Sequence, residues 1–345
     1  MEKMRFGKTG LMVSRVAFGG IPIQRISVPD AVDVVRKAID LGVNFIDTAN
    51  GYGDSEEKIG LAIKDTPRAD LVLASKSMAR DKKTLAEHID LSLTRLGVDY
   101  LDLYQLHNVS TPQGREAAFA EGGAYEALTE AVAAGKVRFL GFSSHNIPLA
   151  MRIMQEIDFS TVQLPFNYVD DSAANEAIPL AEELDMGFIA MKPFGGGLLS
   201  DAGLSIKYLL QFDSIVPDPG IERLTEIEEI VRVVESVESG EGLTAVDRAA
   251  IDKVREEMGD RWCHRCDYCQ PCPAKVGIST VLTVESFIRR MSYDGIITLA
   301  RQGIETGRNC VECRACVSRC PYKLDIPKLI KEKMDIWDKY LAEHE

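Results

Sequence analysis

The chain has 345 residues, of which 46% are hydrophobic and 27% are charged, a composition typical of a folded protein rather than a disordered one. Its 53 acidic and 40 basic residues give a formal net charge of −13, which argues against nucleic-acid binding because phosphate contacts require a basic face. No run approaches the roughly 18 apolar residues that span a bilayer. Charged residues also stand where a signal peptide has its apolar core. The sequence therefore predicts a cytoplasmic protein that binds neither membrane nor nucleic acid.

Eight short apolar runs follow one another along the first part of the chain, and each has the length and composition of a buried parallel strand. Amphipathic stretches with helical periods fill the gaps between them; the one at 31–39 has Asp30 as its expected N-cap. A short β-hairpin is expected before the first run, around Gly7–Gly10. The runs are 15–20, 44–49, 70–76, 100–107, 137–144, 161–167, 187–194 and 213–217.

The strand runs recur at roughly 25–35 residues, the size of a βα unit. Eight such units over roughly 220 residues predict an α/β fold, a (β/α)8 TIM barrel. A doubly wound sheet is the alternative, but it rarely runs to eight parallel strands, and the first βα turn lacks the G-x-G-x-x-G fingerprint. We therefore expect a barrel.

All eight cysteines lie between Cys263 and Cys320, so a metal or disulfide module follows the barrel. The expected domains are the barrel at 1–240, a linking helix at 241–260 and a mostly α-helical, ferredoxin-like dicluster domain at 261–345.

Four polar residues of four acid–base types follow the second, third and fourth strand runs: Asp47, Tyr52, Lys76 and His107. Parallel barrel strands place such residues on one rim, the C-terminal face, where barrel enzymes carry their chemistry. Tyrosine, with a pKa of about 10, is a poor acid near neutrality unless a cation stabilises its phenolate. Lys76 could supply that charge, Asp47 could hold the ammonium, and His107 could donate to a carbonyl oxygen.

These residues resemble the catalytic tetrad of the aldo-keto reductases, residue by residue and in order, and 44–60 (NFIDTANGYGDSEEKIG) is similar to a signature of that family. The resemblance covers about residues 4–235. It implies that Tyr52 is the proton donor, Lys76 tunes it, Asp47 pairs with Lys76, and His107 orients the substrate carbonyl.

The resemblance also implies a nicotinamide cofactor, NADP(H) or NAD(H). Ser144 replaces the family's Asn, and Met191 stands where many members have an aromatic ring. Asp218 occupies the position of a family Lys near the 2′-phosphate, which leaves the choice between the two cofactors open. The implied cofactor-binding residues are Ser143, Ser144, Gln163, Asn167, Met191, Gly195, Gly196, Arg223 and Glu226.

The cysteines form two sets, each ending in Cys-Pro. The second set has the bacterial ferredoxin spacing C-x₂-C-x₂-C-x₃-C-P, and the first is one residue shorter in its last gap. This predicts two 4Fe–4S clusters, with Cys272 and Cys320 either completing their own sets or exchanged. Two zinc ions are the alternative, whereas disulfides do not suit an intracellular chain. The predicted ligands are Cys263, Cys266, Cys269, Cys272, Cys310, Cys313, Cys316 and Cys320.

Aldo-keto reductases with such a C-terminal module form a subgroup that the whole chain resembles. The first functional hypothesis is an oxidoreductase that reduces a small-molecule carbonyl, or oxidises an alcohol, with a nicotinamide cofactor. The alternative is an electron-transfer enzyme that couples the clusters to nicotinamide or to an organic substrate, with a redox protein such as ferredoxin as a partner. A redox-sensing protein without turnover is a third hypothesis, against which the intact tetrad argues.

Overall fold

The computed structural model describes residues 1–344. Its strands agree with the predicted runs, preceded by a two-stranded hairpin. The strands are β1 (Lys3–Arg5), β2 (Met12–Ser14), β3 (Phe18–Gly19), β4 (Phe45–Asp47), β5 (Val72–Ser77), β6 (Leu101–Leu106), β7 (Val137–Ser143), β8 (Thr161–Pro165), β9 (Gly187–Met191) and β10 (Ile215–Asp218).

The helices of the first part of the chain alternate with these strands. They are α1 (Val28–Asp40), α2 (Ser55–Ile63), α3 (Lys82–Leu96), α4 (Pro112–Phe119), α5 (Ala124–Ala133), α6 (Ile147–Glu156), α7 (Ala177–Glu183), α8 (Ala202–Leu209) and α9 (Leu224–Glu238).

Strands β3 to β10 form one parallel sheet in chain order, and main-chain contacts join its two edge strands. The Gly19 N–H donates to the Pro219 carbonyl at 2.9 Å, and the Ile221 N–H donates back to the Gly19 carbonyl at 3.2 Å. A Cβ on Gly19 would lie 2.6 Å from the Pro219 oxygen, so the closure requires glycine. The (β/α)8 barrel is thereby confirmed, and a doubly wound sheet, which stays open, is excluded.

The barrel has two apolar layers, one inside the strands and one between strands and helices. The inner layer includes Phe6 of the hairpin, whose ring packs on Phe45 with 5.3 Å between centroids. A Cβ on Gly187 would lie 2.6 Å from the Phe6 ring. The antiparallel β1–β2 hairpin therefore fills the interior of the barrel at the N-terminal end of its strands.

One local expectation was wrong. Helix α1 begins one turn earlier than expected, because the Ser27 hydroxyl, not Asp30, caps it: it accepts the Asp30 N–H at 3.3 Å. The residues after β6 contain α4, which Thr111 caps by accepting the Gly114 N–H at 3.0 Å.

The chain divides into two compact units. The first comprises 1–194 and 199–243, and the second comprises 195–198 and the chain from Thr244 onward. No helix within residues 1–344 has the length and apolar character needed to cross a membrane. The domain boundaries expected from the sequence, 1–240, 241–260 and 261–345, stay a prediction. The helices of the second unit are α10 (Ala245–Met258), α11 (Ile278–Leu282), α12 (Val284–Arg290), α13 (Tyr293–Leu299), α14 (Arg301–Glu305) and α15 (Ile326–His344).

The second unit is mostly helical, as expected, and α15 packs against α11 and α12. Trp337 of α15 is fully buried, and its indole N–H donates to Glu305 at 2.7 Å. Lys333 of the same helix pairs with Glu285 of α12. The C-terminal helix thus closes the hydrophobic side of this unit.

Candidate active site and cysteine cages

The ends of β4 and β5 bring a lysine and an aspartate together in the barrel interior. Asp47 and Lys76 are each 2% exposed, and the Lys76 Nζ donates to the Asp47 Oδ2 at 2.5 Å. The same ammonium donates to the Thr48 carbonyl at 2.8 Å. A charge pair this deeply buried is stable because each charge has a partner and further hydrogen bonds.

Tyr52 and His107 complete the group of four. Tyr52 lies in the turn before α2, and its ring centroid is 5.0 Å from the Lys76 Nζ. His107 directly follows β6 and meets the Tyr52 ring edge-on, with 5.7 Å between centroids. Both aromatic residues are half-buried, whereas the ion pair beside them is fully buried. The structure thus brings the four predicted residues together from three successive strand ends.

The charges around these residues fix their protonation. Burial disfavours a charged Lys76, but the negative charges of Asp47 and Asp218, and that of Tyr52 when it is ionised, outweigh this effect and raise the pKa of Lys76. Burial holds the pKa of His107 well below its ordinary 6.5, and the nearby charges of Lys76 and Arg80 lower it further. At neutral pH the lysine is therefore a cation, and the histidine is a neutral ring that carries one N–H.

A second buried polar layer surrounds the carboxylate of Asp47, and the sequence analysis did not identify it. The amide of Gln105 donates to the Asp47 Oδ1 at 3.4 Å and to the Gln163 Oε1 at 3.2 Å. The amide of Gln163 donates to the Asp47 Oδ2 at 3.3 Å and to the Asp218 Oδ2 at 3.0 Å. The signal that could have revealed this layer is the inward direction of alternate strand positions.

Asp218, considered in the sequence analysis only for its effect on a 2′-phosphate, belongs to this layer. It ends β10 and is 7% exposed. Its carboxylate faces the Gln163 amide and adds to the negative charge around Lys76.

Ser143 and Ser144 lie at the end of β7, beside the end of β8. Ser143 pairs in register with Gln163, and the Ser144 N–H donates to the Gln163 carbonyl at 3.1 Å. Both serines are buried. The Ser143 hydroxyl accepts the Asn108 N–H at 2.8 Å, and the Ser144 hydroxyl lies 3.4 Å from that of Ser110. The two serines and Gln163 therefore form one group of amide and hydroxyl side chains, close to Asp47 of the tetrad.

Two other predicted cofactor residues lie at the ends of β8 and β9. Asn167 uses its side chain within its own loop: it accepts the N–H groups of Val169 and Asp170 at 2.9 and 2.8 Å and donates to the Lys192 carbonyl at 3.1 Å. Met191 ends β9 and is half-buried.

Arg223 and Glu226 lie at the start of α9. Glu226 accepts the N–H groups of Glu222 and Arg223, at 2.9 and 3.1 Å. It thereby supports the start of the helix. The Arg223 side chain is 69% exposed, and its Nε is 3.7 Å from Glu226. A surface ion pair of this kind leaves the guanidinium accessible to solvent.

The glycines after β9 belong to the second compact unit. Gly195 and Gly196 are buried, with φ of +57° and +73°, in the left-handed region that glycine favours. A Cβ on Gly196 would overlap the Ser286 hydroxyl, and Arg289 donates to the Gly197 carbonyl at 2.9 Å. Close packing thus explains why these positions are glycine.

The eight cysteines line two separate cavities of about 330 and 340 Å³ in the second unit. Three cysteines of each set line one cavity, and the Cys-Pro cysteine lines the other. Of the two arrangements left open by the sequence, the structure has the exchanged one. The first cage consists of Cys263, Cys266, Cys269 and Cys320, and the second cage consists of Cys310, Cys313, Cys316 and Cys272.

The loops of the two cages have matching backbone conformations. Residues two and four positions after the first cysteine have positive φ in both loops: Arg265 and Asp267 in one, Glu312 and Arg314 in the other. A lysine three positions after each Cys-Pro cysteine, Lys275 or Lys323, has positive φ too. Backbone turns of this type direct successive N–H groups into a concave anion site, so two equivalent cages are built by one local design.

Burial favours the protonated form of some of these thiols when no metal is bound. It raises the pKa of Cys263 to about 11 and that of Cys269 to about 12, and it raises the pKa of Cys316. Binding of a metal centre in either cage therefore releases protons. Among residues 1–344, no three His, Cys, Asp or Glu side chains, the cage cysteines included, are close enough together to hold a single metal ion.

Three of the histidines outside the tetrad have defined partners. His88 is half-buried, and its Nδ1 lies 2.7 Å from the Ser77 hydroxyl. His145 contacts Asn108 at 3.1 Å. His264 borders the first cage and stacks on Tyr322, with 3.7 Å between ring centroids.

Comparison with known proteins gives two family matches. Residues 15–214 match the model of the aldo/keto reductase family, and residues 262–325 match that of a 4Fe-4S dicluster domain.

Individual relatives match the first part of the chain. L-galactose dehydrogenase of Arabidopsis thaliana is 30% identical over 221 residues, which are 59% of this chain and 68% of that protein. NADH-specific methylglyoxal reductase of Escherichia coli is 28% identical over 229 residues, 58% of this chain and 69% of that protein. The solved holo form of the aldo-keto reductase AKR11C1 from Bacillus halodurans superposes with a TM-score of 0.62 at 25% identity. It covers 74% of this chain and 96% of its own.

Proposed function

This chain belongs to the aldo/keto reductase family and carries a 4Fe-4S dicluster domain, and we propose that it is a nicotinamide-dependent carbonyl reductase with two 4Fe–4S clusters. The observation that carries the proposal is the convergence of Tyr52 and His107 on the buried Lys76–Asp47 pair. The reverse reaction, oxidation of an alcohol, uses the same groups. The substrate is a small carbonyl compound or alcohol, and the expected location is the cytoplasm.

The proton goes from Tyr52 to the carbonyl oxygen. The Lys76 ammonium, 5.0 Å from the tyrosine ring, stabilises the phenolate that remains. Asp47 holds this ammonium in position at 2.5 Å. His107, neutral at pH 7, donates its one N–H to the carbonyl oxygen and orients it. The bound nicotinamide supplies the hydride that reduces the carbonyl carbon.

The residues beside the tetrad suit a carboxamide, which needs both hydrogen-bond donors and acceptors. Ser143, Ser144 and Gln163 provide such groups at two neighbouring strand ends. Met191, half-buried at the end of β9, offers a polarizable surface for an aromatic ring.

The remaining cofactor contacts are proposals of the same kind. A pyrophosphate contact at Gly195 and Gly196 stays a prediction, because both are buried and Ser286 fills the space beside Gly196. The exposed guanidinium of Arg223 could contact a phosphate. Asn167 and Glu226 then act on their own loops rather than on the cofactor. NADP(H) and NAD(H) are both candidates, and one relative, the methylglyoxal reductase, is named NADH-specific.

Each cage offers four thiol groups, the number of irons in one cubane, and two equal cages match a dicluster domain. We assign one 4Fe–4S cluster to each cage rather than one zinc ion. A second candidate function is electron transfer between the clusters and nicotinamide or an organic substrate. The exposure of Cys313, which brings the second cage to the protein surface, favours it.

The proposal is tested on anaerobically purified protein whose iron has been quantified. Small aldehydes and ketones, methylglyoxal included, are offered with NADPH and then with NADH. We expect turnover that Tyr52→Phe lowers by roughly 10²–10⁴-fold. The control is Tyr100→Phe, the same change at the residue just before β6, away from the tetrad, and it should leave turnover intact.

The same sample separates the two candidate functions. Reduction of the cluster chromophore by NADPH or NADH, followed by absorbance and EPR, supports electron transfer. Carbonyl turnover without cluster reduction supports a reductase whose clusters are structural. Absence of turnover on every substrate, with iron present, contradicts the reductase.

A further inference from the structure

The two cages differ in exposure although their backbones match. In the second cage Cys313 is exposed, and Val311, which follows Cys310, is 71% exposed. His264 occupies the matching position of the first cage, where it is half-buried and stacks on Tyr322. The residue after the first cysteine is therefore open to solvent in the second cage and half-buried in the first, where Tyr268, which precedes Cys269, is 54% exposed.

The two cages also differ in charge. Asp267 is the acidic residue lining the first cage, whereas Arg314 and Arg319 line the second. Each cage also has an exposed lysine three positions after its Cys-Pro cysteine: Lys275 beside the second cage and Lys323 beside the first. Residues 261–325 hold ten Lys and Arg against six Asp and Glu, whereas the whole chain holds 40 against 53. The open edge of the second cage is thus basic in a strongly acidic protein.

Two acidic residues lie close to this edge and do not reverse its sign. Glu312 is at the tip of the loop, and Asp325 pairs with Arg314 at 3.2 Å. The edge also carries three basic residues, Lys275, Arg314 and Arg319, so its net charge is one positive.

The charge of a cluster accounts for part of this arrangement. Four thiolates leave a 4Fe–4S cluster negative, so arginines lining its cavity stabilise it. This accounts for Arg314 and Arg319, but not for an apolar side chain, Val311, that is 71% exposed. A basic surface with an apolar centre is the pattern of a recognition site for an acidic protein.

We infer that Lys275, Val311, Cys313 and Arg314, the second-cage face, form the docking surface for an acidic one-electron carrier protein. In the reducing direction, one electron leaves the reduced carrier, which is oxidised, and enters the cluster of the second cage, which is reduced; no bond forms or breaks. The inference rests on the clusters assigned under the proposed function, but not on carbonyl reduction.

The physical requirements of such a contact agree with the surface. Electron transfer slows steeply with distance, so the receiving cluster must lie under a thin cover. Electron-transfer contacts are small, and complementary charge sets their rate of encounter more than their final affinity. One exposed valine at a cage lined by Arg314 and Arg319 suits a brief contact with an acidic partner.

The test uses the full-length, iron-loaded protein and an acidic plant-type [2Fe–2S] ferredoxin as the probe. The dissociation constant is measured anaerobically by calorimetry at about 50 mM and about 300 mM salt. We expect Lys275→Glu with Arg314→Gln to weaken binding roughly ten-fold at low salt. We expect Val311→Ser to weaken it as well, and the effect of the charge changes to shrink at high salt. EPR then shows whether reduced ferredoxin passes its electron to the protein.

The matched control is Lys339→Glu with Lys253→Gln, which makes the same total charge change at positions of α15 and α10 that are 80% and 77% exposed. It should leave the dissociation constant within two-fold. Iron content and cluster absorbance establish that each variant is loaded, and Lys275→Gln replaces any variant that is not.

Equal binding by wild type, face variants and control, or no binding by loaded wild type, overturns the docking surface and leaves the carbonyl reductase untouched. Absence of iron from the wild type overturns the docking surface and the clusters of the proposed function together. Loss of carbonyl turnover with normal ferredoxin binding contradicts the reductase alone.

Discussion

Replacing the buried lysine of the candidate active site separates its structural role from its catalytic one. In Lys76→Met, Asp47 stays 2% exposed and loses the ammonium that lies 2.5 Å away. Gln105 and Gln163 still reach the carboxylate, but both are neutral donors at 3.4 and 3.3 Å, beyond the usual range. Leaving one partner of a buried pair uncompensated costs about 3–5 kcal/mol of unfolding free energy.

The double variant Asp47→Asn, Lys76→Met removes both charges and isolates the pair. Because a buried pair replaced by neutral groups of similar size is often close to neutral in stability, we expect it to recover most of the loss. Activity should not recover, since the Tyr52 phenolate has no ammonium beside it in either variant. We expect carbonyl turnover to fall by roughly 10²–10⁴-fold in both.

The positions of the tryptophans make the stability measurement specific. The two tryptophans of the chain, Trp262 and Trp337, belong to the second compact unit. Their fluorescence in urea therefore follows that unit and is an internal control, while far-UV circular dichroism follows the barrel as well. The shift should appear in the dichroism transition and leave the fluorescence transition near its wild-type position.

Two results would refute this reasoning. Equal stability of wild type and Lys76→Met would mean that Asp47 is solvated or protonated in the folded barrel. Recovery of turnover in the double variant would mean that the ammonium has no part in acid catalysis by Tyr52.

Three further predictions concern ligand exchange, pH and a buried carboxylate. When Cys310, Cys313 and Cys316 are replaced by serine, only the first cage can keep its iron. In that protein we expect Cys320→Ser to abolish the remaining iron and Cys272→Ser to leave it; the reverse would show that each set completes its own cage. The fold lowers the pKa of His107, so below pH 6.5 the unfolded state binds a proton that the folded state does not. The free energy of unfolding in urea should therefore fall as pH decreases from 6.5, and it should fall less in His107→Gln. Equal pH dependence of the two proteins would contradict this. Glu56→Ala, which removes a fully buried carboxylate bound to Arg95, should cost about 3–5 kcal/mol in thermal or urea unfolding, against less than about 1 kcal/mol for half-exposed Glu57→Ala; equal losses would contradict the buried pair.

The barrel could be predicted because buried parallel strands are written as uninterrupted apolar runs. Helix α2, in contrast, has no continuous apolar stripe that would predict it from the sequence. Glu56 and Lys58 of this helix are buried, so its apolar stripe is broken by charged residues. Lys58 donates to the carbonyls of Ile23 and Ile26, at 2.9 and 2.8 Å, and so holds the preceding loop. Periodicity cannot recognise a helix whose buried face is used for ion pairs and carbonyl contacts.

The candidate site also has a part that the sequence predicts, the tetrad, and a part that it does not, the buried polar layer behind the tetrad. The tetrad could be predicted because each member lies at the end of a strand run or within a few residues of it. The layer behind it could not, since it depends on register: Gln105 reaches Gln163 across β7, and Gln163 reaches Asp218 across β9. Closing the barrel brings these side chains inward, and no spacing along the chain records which of them meet.

The proposed cofactors transfer electrons in different numbers, a pair with the hydride of nicotinamide and single electrons with each cluster. A hydride carries two electrons, and one cluster commonly accepts one, so a pair of cages has the capacity that a hydride requires. The cages share a backbone, but their linings differ in sign: Asp267 in the first, and Arg314 and Arg319 in the second. Positive charge and solvent exposure stabilise the more negative, reduced form of a cluster. With clusters in both cages, the second should therefore be reduced first, which places the better electron acceptor at the exposed edge of the unit.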